Sequence, residues 1–247
     1  MQTRIIILAG GRGKRMGGEK PKVLALFGER PIIDHCLDAV DGLGLAEKPV
    51  VVVGFGADLV REHLGGRAEY ALQAEQLGTG HAVLCAKDKV GGADNIAVLY
   101  GDHPNTRAET IRRLLALHEA EQPALTMMTL RVPDFGGVHA AFYGFGRVVR
   151  GADGRVARIV ELKDATEEEK GITDLNPSLF CFDANWLWDN LPKVSNNNAQ
   201  GEYYLTDMVG MAIEQGRKIA SLEIDCKECI GVNTPEELEL AHKIILG

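Results

Sequence analysis

A chain of 247 residues, 45% hydrophobic and 25% charged, has the composition of an ordinary globular enzyme and the length of one large α/β domain or two small ones. Its net charge of −8 argues against a general nucleic-acid-binding role, which would need a basic face built against that average, although a local cluster of Lys, Arg and backbone N–H groups can still hold a small anion. No apolar run reaches the roughly 18 residues of a membrane span, Arg4 leads into a strand rather than a signal-peptide core, and the five cysteines, an odd number, read as reduced, buried thiols of a cytoplasmic protein.

Residues 5–8 read as a buried strand, followed by a glycine-rich loop. Residues 31–40 read as a helix, with Ile32, Ile33, Cys36, Leu37 and Val40 on one face at helical spacing. Strand 50–53, helix 57–64, strand 70–72, helix 79–87, strand 96–100, helix 107–121 and strand 124–130 follow in turn. Short apolar strands alternating with helices imply βαβ units and a mainly parallel sheet. The second half is less regular. Residues 142–150, 156–161 and 172–182 read as longer strands, forming an antiparallel or mixed extension over one side of the site. The charge run 167–170 reads as a solvated loop. Residues 184–191, 204–215 and 235–246 read as helices and 219–224 as a strand, with Pro235 at the first helical position behind Thr234 as N-cap. No internal repeat or low-complexity linker interrupts the chain, so a single domain over residues 1–247 is expected. Cys226-Lys227-Glu228-Cys229 has no second pair to complete a four-ligand zinc site.

The loop after the first strand carries the strongest chemical signal. In open α/β sheets ligands bind beyond the carboxyl ends of strands. Leu8-Ala9-Gly10-Gly11-Arg12-Gly13-Lys14-Arg15-Met16 places three glycines there, which lets backbone N–H groups approach a polyphosphate. Arg12, Lys14, Arg15, Lys20 and Lys22 add a cationic cluster suited to a triphosphate. No Gly-Lys-Ser/Thr closes the loop, so it is not a Walker A loop. Gly11 and Gly13 are followed by Met16 where the dinucleotide fingerprint needs a third glycine. A second glycine pair, Gly54-Phe55-Gly56, reads as a plain βα turn.

The same residues, with Lys20-Pro21-Lys22-Val23-Leu24, resemble the signature of the sugar-nucleotide pyrophosphorylases. Six further segments, in one order over essentially the whole chain, are similar to the uridyltransferase domain of the bacterial bifunctional N-acetylglucosamine-1-phosphate uridyltransferases. They are Gln73-Ala74-Glu75-Gln76-Leu77-Gly78-Thr79-Gly80-His81-Ala82, Tyr100-Gly101-Asp102, Tyr143-Gly144-Phe145-Gly146-Arg147, Ile159-Val160-Glu161 with Lys163-Asp164, Asn198 to Asp207, and Gly231-Val232-Asn233. The resemblance implies the Rossmann-like fold of nucleotide-diphospho-sugar transferases: a mixed, mainly parallel sheet flanked by helices, with a smaller antiparallel extension on the sugar side. It implies that Leu8, Ala9, Gly10, Gly11 and Gly13 bind the nucleotide, with Gln73, Gly78 and Thr79 at a uracil base. It implies sugar contacts from Gly144, Glu161 and Asn176. Asp102 and Asn233 would hold Mg²⁺, which suits a carboxylate facing a triphosphate because that ion takes few protein oxygens and completes its shell with phosphates and waters. Arg15 and Lys22 would be the catalytic cations, on the leaving pyrophosphate and the sugar-1-phosphate side respectively.

The implied substrates are two small molecules, an NTP (UTP favoured) and a sugar-1-phosphate (N-acetylglucosamine-1-phosphate favoured), giving an NDP-sugar and pyrophosphate. The sugar phosphate is itself the nucleophile, so no histidine is assigned a role. Departures cluster on the sugar side: Asn176-Pro177-Ser178 stands where Asn-Thr-Gly is expected, His103 where a small apolar residue is expected, and the run from Phe135 to Phe142 departs as well. Another hexose-1-phosphate, or dTTP or CTP, therefore stays open. So does a non-catalytic nucleotide-sugar-binding regulatory protein, against which the joint retention of Arg15, Lys22, Asp102 and Asn233 argues. No hexapeptide repeats of an acetyltransferase half follow Gly247, so that activity is not expected of this chain.

Overall fold

The strand β1 (Thr3–Ala9) buries Ile5, Ile7 and Ala9 in one apolar cluster and Ile6 and Leu8 in another. A strand apolar on both faces must lie inside a sheet covered on both sides. The computed structural model, which describes residues 1–17 and 20–245 (Lys14 without its side chain), has that arrangement. Gly18 and Glu19 of the expected phosphate loop, and Leu246 of the expected last helix, lie outside the described residues.

In chain order the other elements are β2 (Leu26–Phe27), β3 (Arg30–Pro31), α1 (Ile32–Asp41), β4 (Val50–Val53), α2 (Ala57–Leu64), β5 (Glu69–Leu72), α3 (Thr79–Cys85), β6 (Asn95–Tyr100), α4 (Ala108–Glu121) and β7 (Leu125–Arg131), then β8 (Gly146–Arg150), β9 (Val156–Val160), α5 (Glu167–Lys170), β10 (Asp174–Asn176), β11 (Phe180–Asp183), α6 (Ala184–Asn190), α7 (Asp207–Glu214), β12 (Ile219–Glu223) and α8 (Pro235–Ile245). Among the described residues one mixed sheet runs β5-β4-β1-β6-β11-β7-β10-β8-β9, with β12 alongside β7. Its core, β5-β4-β1-β6, is parallel throughout. Strands β10, β8 and β9 form the antiparallel extension. Helices α1, α2, α4 and α8 cover one face, and α3, α6 and α7 the other. None of the helices described is long and apolar enough to cross a membrane.

The chain steps outward from β1 to β4 and β5, then returns past β1 to β6. That reversal opens a crevice at the carboxyl ends of β1 and β6, the usual ligand position in such sheets. The loops after β1 and β6 are the two that carry Lys22 and Asp102.

Three expectations need correction. The expected strand 172–182 is two strands in different positions: β10 pairs with β7 and β8, whereas β11 lies between β6 and β7. Pro177 and Ser178 break it, the latter at φ 62, a left-handed conformation that an L side chain disfavours. The expected strand 142–150 is shorter, because residues Gly137–Phe142 coil as a 3₁₀ turn and only β8 is extended. The charge run 167–170 is the helix α5 rather than a loop. Thr166 accepts from the Glu169 N–H at 3.2 Å, and the Glu169 carboxylate accepts from the Thr166 N–H at 2.8 Å. This reciprocal capping box satisfies donors that would otherwise be orphaned at the helix start. The Thr234 hydroxyl caps α8 as expected, accepting from the Glu237 N–H at 3.1 Å. All five cysteines are free, and Cys36, Cys181 and Cys229 are buried.

Candidate active site

Close backbone packing shapes the loop after β1. Gly13 has φ 62, and a Cβ on it would fall 2.6 Å from the Cβ of Lys22. The loop therefore folds back until its start touches its end, which brings Lys22 over the sheet edge. The second glycine pair supports it from beneath. A Cβ on Gly54 would meet the Gly10 carbonyl at 2.6 Å, and the Phe55 N–H donates to that carbonyl at 3.2 Å. Neither Gly54 nor Gly56 lines a ligand cavity.

Two cavities open over this loop. The smaller, of about 280 Å³, is lined by Leu8, Ala9, Gly10, Gly11, Gln73, Gly78, Thr79 and Asp102 among others. The larger, of about 1050 Å³, is lined by Gly11, Gly13, Arg15, Gly144 and Glu161 among others. Gly11, Lys22, Gln76, Glu202 and Asn233 belong to both and form the seam between them. Every site residue expected on sequence grounds except Asn176 thus lines one cavity or the other. The rim of the smaller cavity is braced by Tyr203 and Leu205, which lie along residues 77–80: the Tyr203 N–H donates to Leu77 O, the Gly80 N–H to Tyr203 O, and the Leu205 N–H to the Thr79 hydroxyl.

At the seam the Lys22 ammonium donates to the Asp102 carboxylate and, at 2.6 Å, to Asn233 Oδ1. Residues 80 and 211 positions away in sequence meet because the Val232 N–H donates to the Asp102 carbonyl at 3.0 Å, zipping the turn after β6 to the approach of α8. Burial pushes the Asp102 carboxyl up, but Lys22 and His103 outweigh it and hold it below its ordinary value. Burial lowers His103 despite the neighbouring Asp102.

This oxygen set fits a divalent cation. Asp102 Oδ2 and Asn233 Oδ1 already converge on one positive charge, and Asp102 Oδ1 is buried with no hydrogen-bond partner. Among the described residues no cluster of three His, Cys, Asp or Glu side chains could enclose a metal. Two protein oxygens open to a cavity suit Mg²⁺ shared with phosphates and water.

On the other side of the larger cavity, Glu161 accepts from the Thr206 hydroxyl at 2.9 Å. Burial raises its carboxyl, with Asp207, Asp164 and Glu202 adding to the rise against the Thr206 bond. Gly144 is held from behind. The wholly buried Arg147 guanidinium donates to the carbonyls on both sides of Gly144, those of Tyr143 (2.9 Å) and Phe145, and to Lys170 O at 3.1 Å. The rings of Phe135 and Tyr143 cover its faces at 4.9 and 5.1 Å. Arg147→Met would leave three carbonyls short of a donor, at a cost of roughly 3 kcal/mol. Urea denaturation should show that loss, and limited proteolysis should find residues 137–145 loosened. A variant as stable as the parent would mean that the guanidinium does not organise this wall.

Asn176 is 2% exposed and faces neither cavity. Its carboxamide oxygen accepts from the Ser178 N–H at 3.0 Å and its Nδ2 reaches the Ser178 hydroxyl at 3.3 Å, so it closes its own turn. Several lining residues had no role assigned from sequence: Gln76, Tyr100, Glu202, Lys163 and Gln200. All are polar members of matched segments that nothing in local pattern distinguishes from surface residues, and Lys163 Nζ is tied to Gln200 Oε1 at 2.5 Å. Arg15 stands exposed at the rim of the larger cavity, and Arg12 stacks over Phe55 at 5.0 Å.

The model of the MobA-like NTP transferase domain matches residues 5–160. The bifunctional protein GlmU of Halalkalibacterium halodurans is 44% identical over 242 residues, covering 97% of this chain and 51% of that protein. The proteins of the same name from Exiguobacterium sp. and Enterococcus faecalis are 42% and 41% identical, over 99% and 97% of this chain and 53% and 51% of theirs. The chain spans about half the length of the curated relatives it matches. Among solved structures, a putative glucose-1-phosphate thymidylyltransferase from Bacillus anthracis, crystallised with sucrose, superposes with a TM-score of 0.77 over 98% of this chain and 94% of that one; at 19% identity the likeness is one of fold.

Proposed function

Because the chain belongs to the MobA-like NTP transferase family, we propose that it is a Mg²⁺-dependent sugar-1-phosphate nucleotidyltransferase, joining UTP to N-acetylglucosamine-1-phosphate and releasing pyrophosphate. The observation that carries this reading is the meeting of Lys22, Asp102 and Asn233 at the seam of two cavities, one beside the glycine loop and one beside Glu161 and Gly144. A reaction between two phosphates needs its cations where the two ligands touch. The GlmU name shared by relatives at 41–44% identity supports the choice of substrates.

The chemistry asks little of the protein in proton transfer. A sugar phosphate with a second pKa of about 6 is largely dianionic at neutral pH and attacks without a base. No histidine lines either cavity among the described residues, in keeping with this. What remains is alignment and neutralisation of charge. Asp102 and Asn233 are the residues that would hold Mg²⁺, which supplies positive charge to the phosphates when bound. Lys22 sits where the nucleotide phosphates and the incoming phosphate adjoin. Arg15, exposed at the rim of the larger cavity, is the cation for the departing pyrophosphate. Gly144 and Glu161 orient the sugar, one through its main chain and one through its carboxylate.

Pyrophosphate release measured across four NTPs and several sugar-1-phosphates tests the proposal. UTP with N-acetylglucosamine-1-phosphate should give the highest kcat/KM. A second reading within the same reaction is favoured by one observation: Asn176 is tied into the Pro177-Ser178 turn rather than facing the cavity. If that turn has changed the sugar, glucose-1-phosphate will outperform N-acetylglucosamine-1-phosphate in the same matrix. Tight UDP-sugar binding with no pyrophosphate release in the presence of Mg²⁺ would instead make the protein a sensor.

A further inference from the structure

Gln73 lines the smaller cavity, and its carboxamide can present either an acceptor or a donor to a base. Two neighbours decide which. Gln73 Nε2 lies 3.0 Å from the Gly78 carbonyl and 3.2 Å from His81 Nδ1. A carbonyl only accepts, so the group facing it is the NH₂. The ring nitrogen facing the same NH₂ must then carry the lone pair. That places the ring proton on His81 Nε2, which lies 3.7 Å from the Cys85 sulfur, a weak acceptor on a thiol that burial keeps protonated. The opposite tautomer would set N–H against N–H. With both hydrogens of Nε2 engaged, Oε1 is the atom left for a ligand. It lies over Gly10, where a Cβ would come within 3.0 Å of it, in the wall of the same cavity.

We infer that His81 is a specificity-determining positioning residue for the base: together with the Gly78 carbonyl it locks the Gln73 carboxamide oxygen-outward and makes the subsite an acceptor. An acceptor pairs with the imino N3–H of uracil or thymine and opposes N3 of cytosine, which also accepts. The inference rests on the nucleotide reading above and goes beyond it, because it assigns the pyrimidine choice to a residue that need not touch the nucleotide. The placement follows from α3, whose N-terminus sets Gly78 and His81 on the same side of Gln73.

The test compares kcat/KM for UTP and CTP, with N-acetylglucosamine-1-phosphate as co-substrate, in the wild type, His81→Leu, His81→Asn, Gln73→Ala and the double variant Gln73→Ala/His81→Leu. The wild type should prefer UTP by at least about 100-fold, as sites built around a ligand hydrogen bond do. His81→Leu should lower that ratio about tenfold, mainly through KM for UTP, whereas His81→Asn, whose Oδ1 can accept in place of Nδ1, should stay within about threefold. In the Gln73→Ala background, His81→Leu should change the ratio no further. An unchanged ratio in His81→Leu, or an equal additional loss in the Gln73→Ala background, overturns the inference while leaving the uracil reading in place. A wild type with no preference for UTP overturns both. A readout without substitution comes from ¹⁵N chemical shifts of the wild-type imidazole: a lone pair on Nδ1 is expected, and a proton there in the neutral ring overturns the assignment.

Discussion

Asp102→Ala is expected to lower pyrophosphate release by on the order of 10²–10³-fold, the usual cost of deleting one preorganised charged group that meets a developing charge. On the proposed reading it removes the anionic ligand of the divalent cation and leaves Asn233 alone. The fold should survive, because the Asp102 main chain, not its side chain, accepts the Val232 N–H that holds the turn. The free protein also gives up the ion pair with Lys22. Since the folded carboxyl is held below its ordinary value, the pair contributes stability that is complete above the unfolded carboxyl pKa of about 3.9 and is lost as pH falls through the lower folded value. Urea denaturation should therefore show the wild type losing more stability than Asp102→Ala between neutral pH and about pH 3. Near wild-type turnover in a folded Asp102→Ala variant would sink the metal-ligand assignment and the mechanism with it.

Much of the half from β1 to β6 is legible in the sequence because its signals are local. Val50–Val53 and Ala57–Leu64 are read to the residue, since a short β-branched run between Pro49 and Gly54 favours a strand buried on both faces and the following helix has an apolar stripe. The glycine loop is legible because its spacing and cationic residues are local, and at Gly13 a positive φ and the close approach of Lys22 call for glycine. The half that carries the antiparallel extension is less so. Apolar periodicity reports that residues 172–182 are buried, not that Ser178 turns left-handed and that the two halves lie on opposite sides of β7. The Thr166 and Glu169 capping pair is written in the sequence at the right spacing, hidden there by the charge of the residues around it. Arg147 looks like one more strand-face cation, yet it is buried against carbonyls contributed by the turn before β8 and by the end of α5. The partnership of Lys22 with Asp102 and Asn233 depends on three loops converging at one crevice, and no local pattern carries that information.

Lys22→Met should have two effects of opposite sign. Turnover should fall by on the order of 10²–10³-fold, for the reason given for Asp102. Affinity of the ligand-free protein for a divalent cation should rise. The Lys22 ammonium occupies the point where Asp102 Oδ2 and Asn233 Oδ1 converge, so on the proposed reading it competes with the metal for the same oxygens. Replacing it with a neutral side chain of similar length leaves a carboxylate with 11% side-chain exposure and no ammonium partner. Breaking such a pair by removing one partner costs about 3 kcal/mol. A cation that fills the gap returns part of that loss, since a ligand bound only by the folded state stabilises it by mass action. Thermal melts with and without Mn²⁺, and calorimetric titration of Mn²⁺ into the nucleotide-free protein, read both consequences. The variant should melt below the wild type without metal, recover more on addition of Mn²⁺, and bind Mn²⁺ about tenfold more tightly, a gain of roughly 1.4 kcal/mol. If Lys22→Met binds Mn²⁺ no better than the wild type and gains no stability from it, the oxygens of Asp102 and Asn233 do not form a divalent site, and the loss of turnover in that variant belongs to a phosphate contact alone.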